Sequence, residues 1–187
     1  MSRILKVVAV SGSVQQPSRT LVLLNALVAE LAQQLPIELQ LIELAKVGPQ
    51  FAGVLRREDL PAAVQADLQA IESADLLIAA TPVYRASYTG LFKHLFDFVH
   101  HEALKQVPVL LAATGGSERH ALIIDHQLRP LFGFFQALSL PVGVYAAEAD
   151  FDNYHISNTQ LRERIERAVE AAVASLGPRF QRNASAA

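Results

Sequence analysis

The feature that most constrains this 187-residue chain is its repeated alternation of short, apolar, β-branched runs with longer stretches of helical period. Such alternation predicts parallel strands joined by crossover helices. Strands are expected at 5–10, 37–42, 74–80, 107–113 and 142–145. The third is an unbroken apolar run after Asp75, as a strand buried on both faces should be, whereas the second alternates like an edge strand. Between them the spacing predicts helices at about 18–34, 61–73, 89–100, 120–138 and 158–176. Leu21, Leu24, Leu27, Val28 and Leu31 mark one face of the first, and Leu161, Ile165, Val169 and Val173 one face of the last.

Three segments read as interruptions. Residues 45–60, with Gly48, Pro49 and Gly53, predict an irregular connection. Pro130 should kink or break the helix that contains it, and Gly177-Pro178 should end the last one. We therefore expect one domain over 1–178 and a flexible tail over 179–187.

Composition narrows the chemistry. About half of the residues are apolar (51%) and 18% are charged, the balance of a packed domain. The chain has no cysteine, which excludes disulfides, thiolate zinc sites, cysteine-ligated iron–sulfur clusters and cysteine nucleophiles. Redox chemistry must then come from a bound cofactor. The net charge of -2 and the absence of a Lys/Arg cluster leave no electrostatic footprint for nucleic acid or an anionic membrane. The first residues hold too short an apolar run for a signal peptide, and no stretch approaches the roughly 20 apolar residues of a membrane helix. The expectation is a cytoplasmic protein with small-molecule partners, no nucleic acid and no membrane.

In an open parallel sheet, ligands bind beyond the carboxyl ends of the strands. Three polar segments lie there. The first, Ser11-Gly12-Ser13-Val14-Gln15-Gln16-Pro17-Ser18-Arg19-Thr20, offers a tight turn, several hydroxyls and a helix start whose N–H groups can meet an anion. It is neither Gly-x-Gly-x-x-Gly nor a Walker loop, and suits one phosphate monoester; an ordinary capping segment, with Ser18 as N-cap, explains the same residues. The second, Thr81-Pro82-Val83-Tyr84-Arg85-Ala86-Ser87-Tyr88-Thr89-Gly90, offers a stiff ledge of main-chain amides and ring faces for a planar heterocycle, or simply a tight turn with surface tyrosines. In the third, Thr114-Gly115-Gly116-Ser117, two glycines let backbone approach a ligand closely.

These segments, with Leu91-Phe92-Lys93 and Phe96-Asp97 behind the second, resemble the NADPH-dependent FMN reductase family, in order and at matching spacing over nearly the whole chain. Within it they are most similar to reductases of sulfonate-utilising two-component monooxygenases, particularly the methanesulfonate branch. The resemblance implies a flavodoxin-like fold, a five-stranded parallel sheet in order 2-1-3-4-5 with helices on both faces, and a homodimer or homotetramer. It implies FMN and NADPH or NADH as ligands, with hydride passing from the nicotinamide to the flavin. It also implies roles by residue: Ser11, Ser13, Ser18, Arg19 and Thr20 at the phosphate, Pro82, Val83, Tyr84 and Ser87 along the isoalloxazine, and Thr114, Gly115 and Gly116 near its polar edge. Gln15 departs from the pattern, standing where the family often has arginine, a loss that Arg19 offsets in part.

His126 occupies the place where sulfonate-branch reductases carry a residue tied to a local helix irregularity, which makes it the one candidate catalytic side chain; a structural histidine is the plainer reading. Asp125 is placed to orient it or to be solvated. Arg85 is a candidate for reading a 2′-phosphate. His100-His101-Glu102 invites a metal reading, but adjacent helical residues face different ways. Phe132, Phe134 and Phe135 exceed what one core-facing stripe needs and suggest a subunit contact.

The reading that follows is an NAD(P)H-dependent FMN reductase supplying reduced flavin to a two-component sulfonate monooxygenase. Two alternatives stay open: an FMN-bound quinone, azo or metal-ion reductase on the same fold, and a flavodoxin-like electron carrier. Such carriers usually present a strongly acidic docking surface, against which the near-neutral charge speaks.

Overall fold

A computed structural model describes residues 4–184 of the chain. Its strands are β1 (Leu5–Ser11), β2 (Ile37–Glu43), β3 (Leu76–Pro82), β4 (Pro108–Gly115), β5 (Leu138–Ser139) and β6 (Val144–Ala147). All pair in parallel, in the order β2-β1-β3-β4, with β5 and β6 both against β4. This is the doubly wound, flavodoxin-like order 2-1-3-4-5. The fifth position is split because Pro141 and Gly143 interrupt it; the expected strand at 142–145 is the second piece, shifted to Val144–Ala147.

Helices cover both faces. On one side α1 (Arg19–Gln34) and α6 (Thr159–Ala184) bury Leu23, Leu27, Leu31, Leu161, Ile165 and Val169 against Val7, Ala9, Ile78 and Ala112. On the other, α2 (Leu44–Phe51), α3 (Ala62–Glu72), α4 (Gly90–Asp97) and α5 (Arg129–Phe134) pack Phe51, Leu68, Phe92 and Phe132 against Val8, Val10, Leu77 and Leu111. Alternate residues of each central strand thus feed opposite cores, which explains their continuous apolar character. Of the predicted face of α1, only Leu21 is half-buried rather than buried; Leu23 takes its place.

Several boundaries move. Residues 45–60 are not irregular throughout: α2 buries Leu44, Gly48 and Phe51 at helical spacing despite Pro49, and a 3₁₀ turn spans Arg57–Asp59. Tertiary burial of that face outweighs the weak propensity of Gly and Pro. The third strand begins at Leu76 rather than 74, since Ala74 still closes the end of α3 through its bond to the Ile71 carbonyl. The helix expected at 89–100 ends at Asp97, and the one expected at 120–138 becomes a 3₁₀ turn (Glu118–His120), a π-helix (Ile124–Leu128) and α5, with Pro130 in the first turn of α5, where its missing N–H costs nothing. The backbone of α6 runs through Gly177-Pro178 to Ala184, so that pair does not end it: Pro178 removes one hydrogen bond from a helix otherwise continuous on both sides. Residues 185–187 of the expected tail lie outside the described residues. Among the described residues no helix is long and apolar enough to cross a membrane.

One polar network ties this helical layer together. Arg57 donates to both carboxylate oxygens of Glu72 and, at 2.9 Å, to the Phe98 carbonyl, while the His100 N–H donates to Glu72 at 2.8 Å. Burial pushes the Glu72 carboxyl up, but the hydrogen bonds from Arg57 and His100, with the charge on Arg57, outweigh it and hold the group below its ordinary 4.5. An acid depressed in the folded state contributes stability that is full above its unfolded pKa and lost as pH falls through the folded value. Melting temperature should therefore decline below about pH 4.5, and Glu72→Gln should lower it at pH 7 while flattening that acid limb; parallel acid limbs in the two proteins would contradict this.

Candidate functional site

The carboxyl ends of β1, β3, β4 and β6 finish level: Ser11 is in register with Ala80, Pro82 with Thr114, and Gly115 with Ala147. The loops that leave them enclose a cleft of about 220 Å³. Ser13, Ser18, Arg19 and Thr20 line it from the first loop, Pro82, Val83 and Tyr84 from the second, and Thr114, Gly115 and Gly116 from the third. The three segments singled out in the sequence thus form one site.

Gly12 sets the first loop. Its N–H donates to the Ala80 carbonyl at 2.7 Å, its carbonyl accepts from the Thr89 hydroxyl at 2.9 Å, and a Cβ there would lie 2.7 Å from the Phe92 ring. Only glycine fits so close to buried neighbours. Ser18 then caps α1, accepting from the Leu21 N–H at 3.2 Å, and its carbonyl takes the Val22 N–H. The N–H groups of Arg19 and Thr20 are left without a partner among the described residues. Capping and anion binding are therefore compatible at this helix start. Below them the Thr20 and Thr114 hydroxyls lie 2.6 Å apart, joining the first and third loops across the sheet. The Ser13 hydroxyl donates to the Gln15 carbonyl at 3.1 Å, so the Ser18 hydroxyl, one hydroxyl of the Thr20–Thr114 pair, the two N–H groups and the Arg19 guanidinium make up the donor set for an anion of phosphate type.

The second loop differs from a ledge of free amides. The Val83 N–H is taken by the Thr114 carbonyl at 2.7 Å, and Tyr84 and Ser87 exchange backbone bonds at 2.8 and 3.2 Å. The result is a tight turn in which Arg85 (φ 50°) and Ala86 (φ 67°) both lie in the left-handed region, where only their N–H groups remain unpaired among the described residues. Two non-glycine residues held there carry strain of about 1–3 kcal/mol each, a condition that clusters at ligand clamps. Tyr84 is exposed at the cleft, while Tyr88 packs inward on Phe92, the two rings tilted by 39°.

In the third loop Gly116 faces open space, so a ligand could meet bare backbone, whereas a Cβ on Gly115 would strike the Tyr145 hydroxyl at 2.2 Å. Tyr145 donates to the Ser117 carbonyl at 2.5 Å. Burial, with the nearby Glu118 and Asp150 charges, pushes its phenol up to about 12, which keeps it a donor at neutral pH.

Two of the predicted cofactor-binding residues, and His126, stand outside the cleft lining. Ser11 is buried as the last residue of β1, and Ser87 turns its hydroxyl to Gln127 of the π-helix at 3.0 Å. His126 lies exposed on that π-helix, in a neighbouring depression with Ala86, Arg119, His120, Leu122 and Gln127. Asp125 does not orient it: its carboxylate accepts from Arg129 at 2.6 Å. The His100 and His101 rings lie 4.5 Å apart in exposed turns, where the Glu102 N–H caps His100.

Glu148, Phe151 and Tyr154 were not anticipated. They reach the cleft from the turn after β6 and from a two-stranded hairpin, β7 (Phe151–Asp152) and β8 (His155–Ile156). Arg19 meets this wall at three points: it pairs with Glu148 at 2.9 Å, donates to the Asn153 carbonyl at 3.3 Å, and lies 5.6 Å from the centre of the Tyr154 ring.

The family model for NADPH-dependent FMN reductase matches residues 5–152, which take in the whole sheet and all three loops. The chain belongs to this family. An NADH-dependent FMN reductase, SfnF, of Pseudomonas fluorescens is 61% identical over 177 residues, 95% of either chain. An FMN reductase (NADPH) of Pseudomonas aeruginosa is 59% identical over 176 residues, 94% of this chain and 95% of the other. Among solved structures, an oxidoreductase from Corynebacterium diphtheriae superposes with a TM-score of 0.79 at 31% identity, covering 92% of this chain and 97% of that one. This FMN reductase family member therefore carries its family's fold over the region that forms the cleft.

Proposed function

We propose that the chain is a cytoplasmic NAD(P)H:FMN oxidoreductase that hands reduced FMN to a two-component sulfonate monooxygenase. The observation that carries the reading is the convergence of an anion-type donor set and bare glycine backbone in one cleft, beside a strained turn whose Tyr84 lines it, in a chain of this family. Relatives named for NADH and for NADPH support the nicotinamide donor, and relatives named SfnF and SfnE support the sulfonate context. In this reading one domain over 1–178 does the work. Ser13, Ser18, Arg19 and Thr20 hold the FMN phosphate, with Ser11 shaping the loop from beneath. Pro82, Val83 and Tyr84 flank the isoalloxazine, and Ser87 fixes that turn to the π-helix. Thr114, Gly115 and Gly116 meet its polar edge.

Bound there, FMN would supply the hydride acceptor for the nicotinamide, so the redox chemistry would be the cofactor's own. The chain supplies position: a hydroxyl-lined pocket for phosphate, a rigid turn for the ring, and an exposed Tyr84 to shape the face on which the nicotinamide stacks. No proton transfer by a side chain is required. His126, outside the cleft, serves at most the neighbouring depression.

The surface supports assembly as a homodimer or homotetramer. Phe132 and Phe135 are buried in the core, but Phe134 is 69% exposed and Leu122 60% exposed, leaving apolar area on α5 and in the turn before the π-helix for a second subunit.

The handover is tested by supplying a purified FMNH2-dependent sulfonate monooxygenase with this protein, NAD(P)H, catalytic FMN and methanesulfonate. Sulfite release that depends on every component supports the reading. Sulfite with chemically reduced FMN, but none with this protein, would refute it.

A further inference from the structure

Arg19, a cation of the proposed phosphate site, is already occupied. Its guanidinium pairs with Glu148 at 2.9 Å, and both side chains line the same cleft as the Ser13, Ser18 and Thr20 hydroxyls. The backbone that presents Glu148 is fixed. Glu148 opens the 3₁₀ turn Glu148–Asp150 directly after β6, and that turn is pinned by buried Asp150, which accepts the Ala147 N–H at 2.8 Å and the Asn158 side-chain amide at 2.5 Å. Ala147 in turn is in register with Gly115, so the backbone that carries Glu148 is tied to the third loop.

A phosphate entering beside Arg19 has two courses. Either Arg19 leaves Glu148, which loses an ion pair, or the phosphate joins it and meets a carboxylate of like charge. Both weaken the complex. We propose that Glu148 is a built-in competitor for Arg19 that holds FMN affinity down, so that the flavin is exchanged as a substrate rather than kept. This rests on the phosphate placement proposed above. Gln15 acts in the same direction, since a neutral amide lines the cleft where a second cation could stand.

The pair is partly exposed, with side-chain exposures of 35% and 59%, so the effect is modest. Ion pairs of this kind are worth up to about 1 kcal/mol, which corresponds to a change of about fivefold. Flavin-stripped wild type, Glu148→Gln, Arg19→Gln and the double variant are titrated with FMN and with riboflavin, which lacks the phosphate. Glu148→Gln should bind FMN about fivefold more tightly, leave riboflavin unchanged, lose its gain at high salt, and show no gain when Arg19 is already Gln. Unchanged FMN affinity in Glu148→Gln, or equal tightening of riboflavin, overturns the proposal. The two levels separate cleanly. If Arg19→Gln weakens FMN selectively over riboflavin but Glu148→Gln has no effect, only the competitor role fails. If Arg19→Gln leaves both flavins unchanged, the phosphate placement fails and the competitor role with it.

Discussion

Gly12→Ala is expected to cost more, in stability and in flavin binding together, than any other single methyl added to the cleft. The new Cβ would stand 2.7 Å from the Phe92 ring, 3.1 Å from the Ala80 carbonyl oxygen and 3.1 Å from the Thr81 Cβ. None of these can yield easily. Phe92 is fully buried against Phe96, with ring centroids 4.9 Å apart, and Ala80 is central in β3. Nor can the loop itself retreat, since the Gly12 N–H and carbonyl are both committed to fixed partners. Overpacking of this kind costs about 1–3 kcal/mol. In a domain of this size each kcal/mol lowers the melting temperature by roughly 2–4 °C. Displacement of the loop should also weaken FMN by about tenfold or more, equivalent to at least about 1.4 kcal/mol. A Gly12→Ala protein with unchanged melting temperature and FMN affinity would show that the loop is not held as described.

The second large effect is expected at Gly115. An alanine there would place Cβ 2.2 Å from the Tyr145 hydroxyl, which is itself fixed by its bond to the Ser117 carbonyl. One of the two must move. The clash is with a single oxygen, so it can be relieved by a second substitution: Tyr145→Phe removes that atom and leaves Cζ at 3.2 Å as the nearest contact. Gly115→Ala alone should lower the melting temperature and raise the KM for FMN severalfold, about 1 kcal/mol or more in each measure. The double variant should recover more than half of the melting-temperature loss, although Tyr145→Phe by itself destabilises through the lost hydrogen bond. Purely additive losses in the double variant would contradict the geometry.

These effects sit where the sequence was most legible. A chain of alternating strands and helices commits its strand ends to one rim, and that alone brings Ser13, Thr20, Tyr84, Thr114 and Gly116 together from distant segments. The unbroken apolar β3 and β4, and the flanking helices with one buried face, could be read for the same reason: burial on two sides leaves a one-dimensional trace. What was not legible depends on packing across the fold. The helical path of α2 is hidden by Gly48 and Pro49, and only the burial of Leu44 and Phe51 beneath the sheet reveals it. At the split of the fifth strand, Pro141 and Gly143 are visible in the sequence, but Arg129, which donates to the Leu140 and Pro141 carbonyls at 2.8 Å each, reaches them only through the fold.

The same limit applies at the site. Ser11 and Ser87 carry suitable hydroxyls at suitable spacings, but strand alternation buries one and Gln127 draws the other aside. Tyr84 and Ser87 read as amide donors until the turn they close uses those amides internally. Glu148 lies far from Arg19 in sequence, beyond any local pattern; an acidic residue just past the last strand was the one available signal. Such a residue falls on the same rim as the other loops, and could have been counted with them.

The central claim, that this protein reduces FMN as a passing substrate, is tested most directly under anaerobic conditions. Flavin-stripped protein is mixed with NADH or NADPH and a large excess of FMN, and free reduced flavin is followed after removal of the protein. Reduced FMN is expected in solution at many equivalents per protein. Reduction that stops at one equivalent and stays with the protein would contradict it, and would leave instead a reductase or carrier with a fixed flavin.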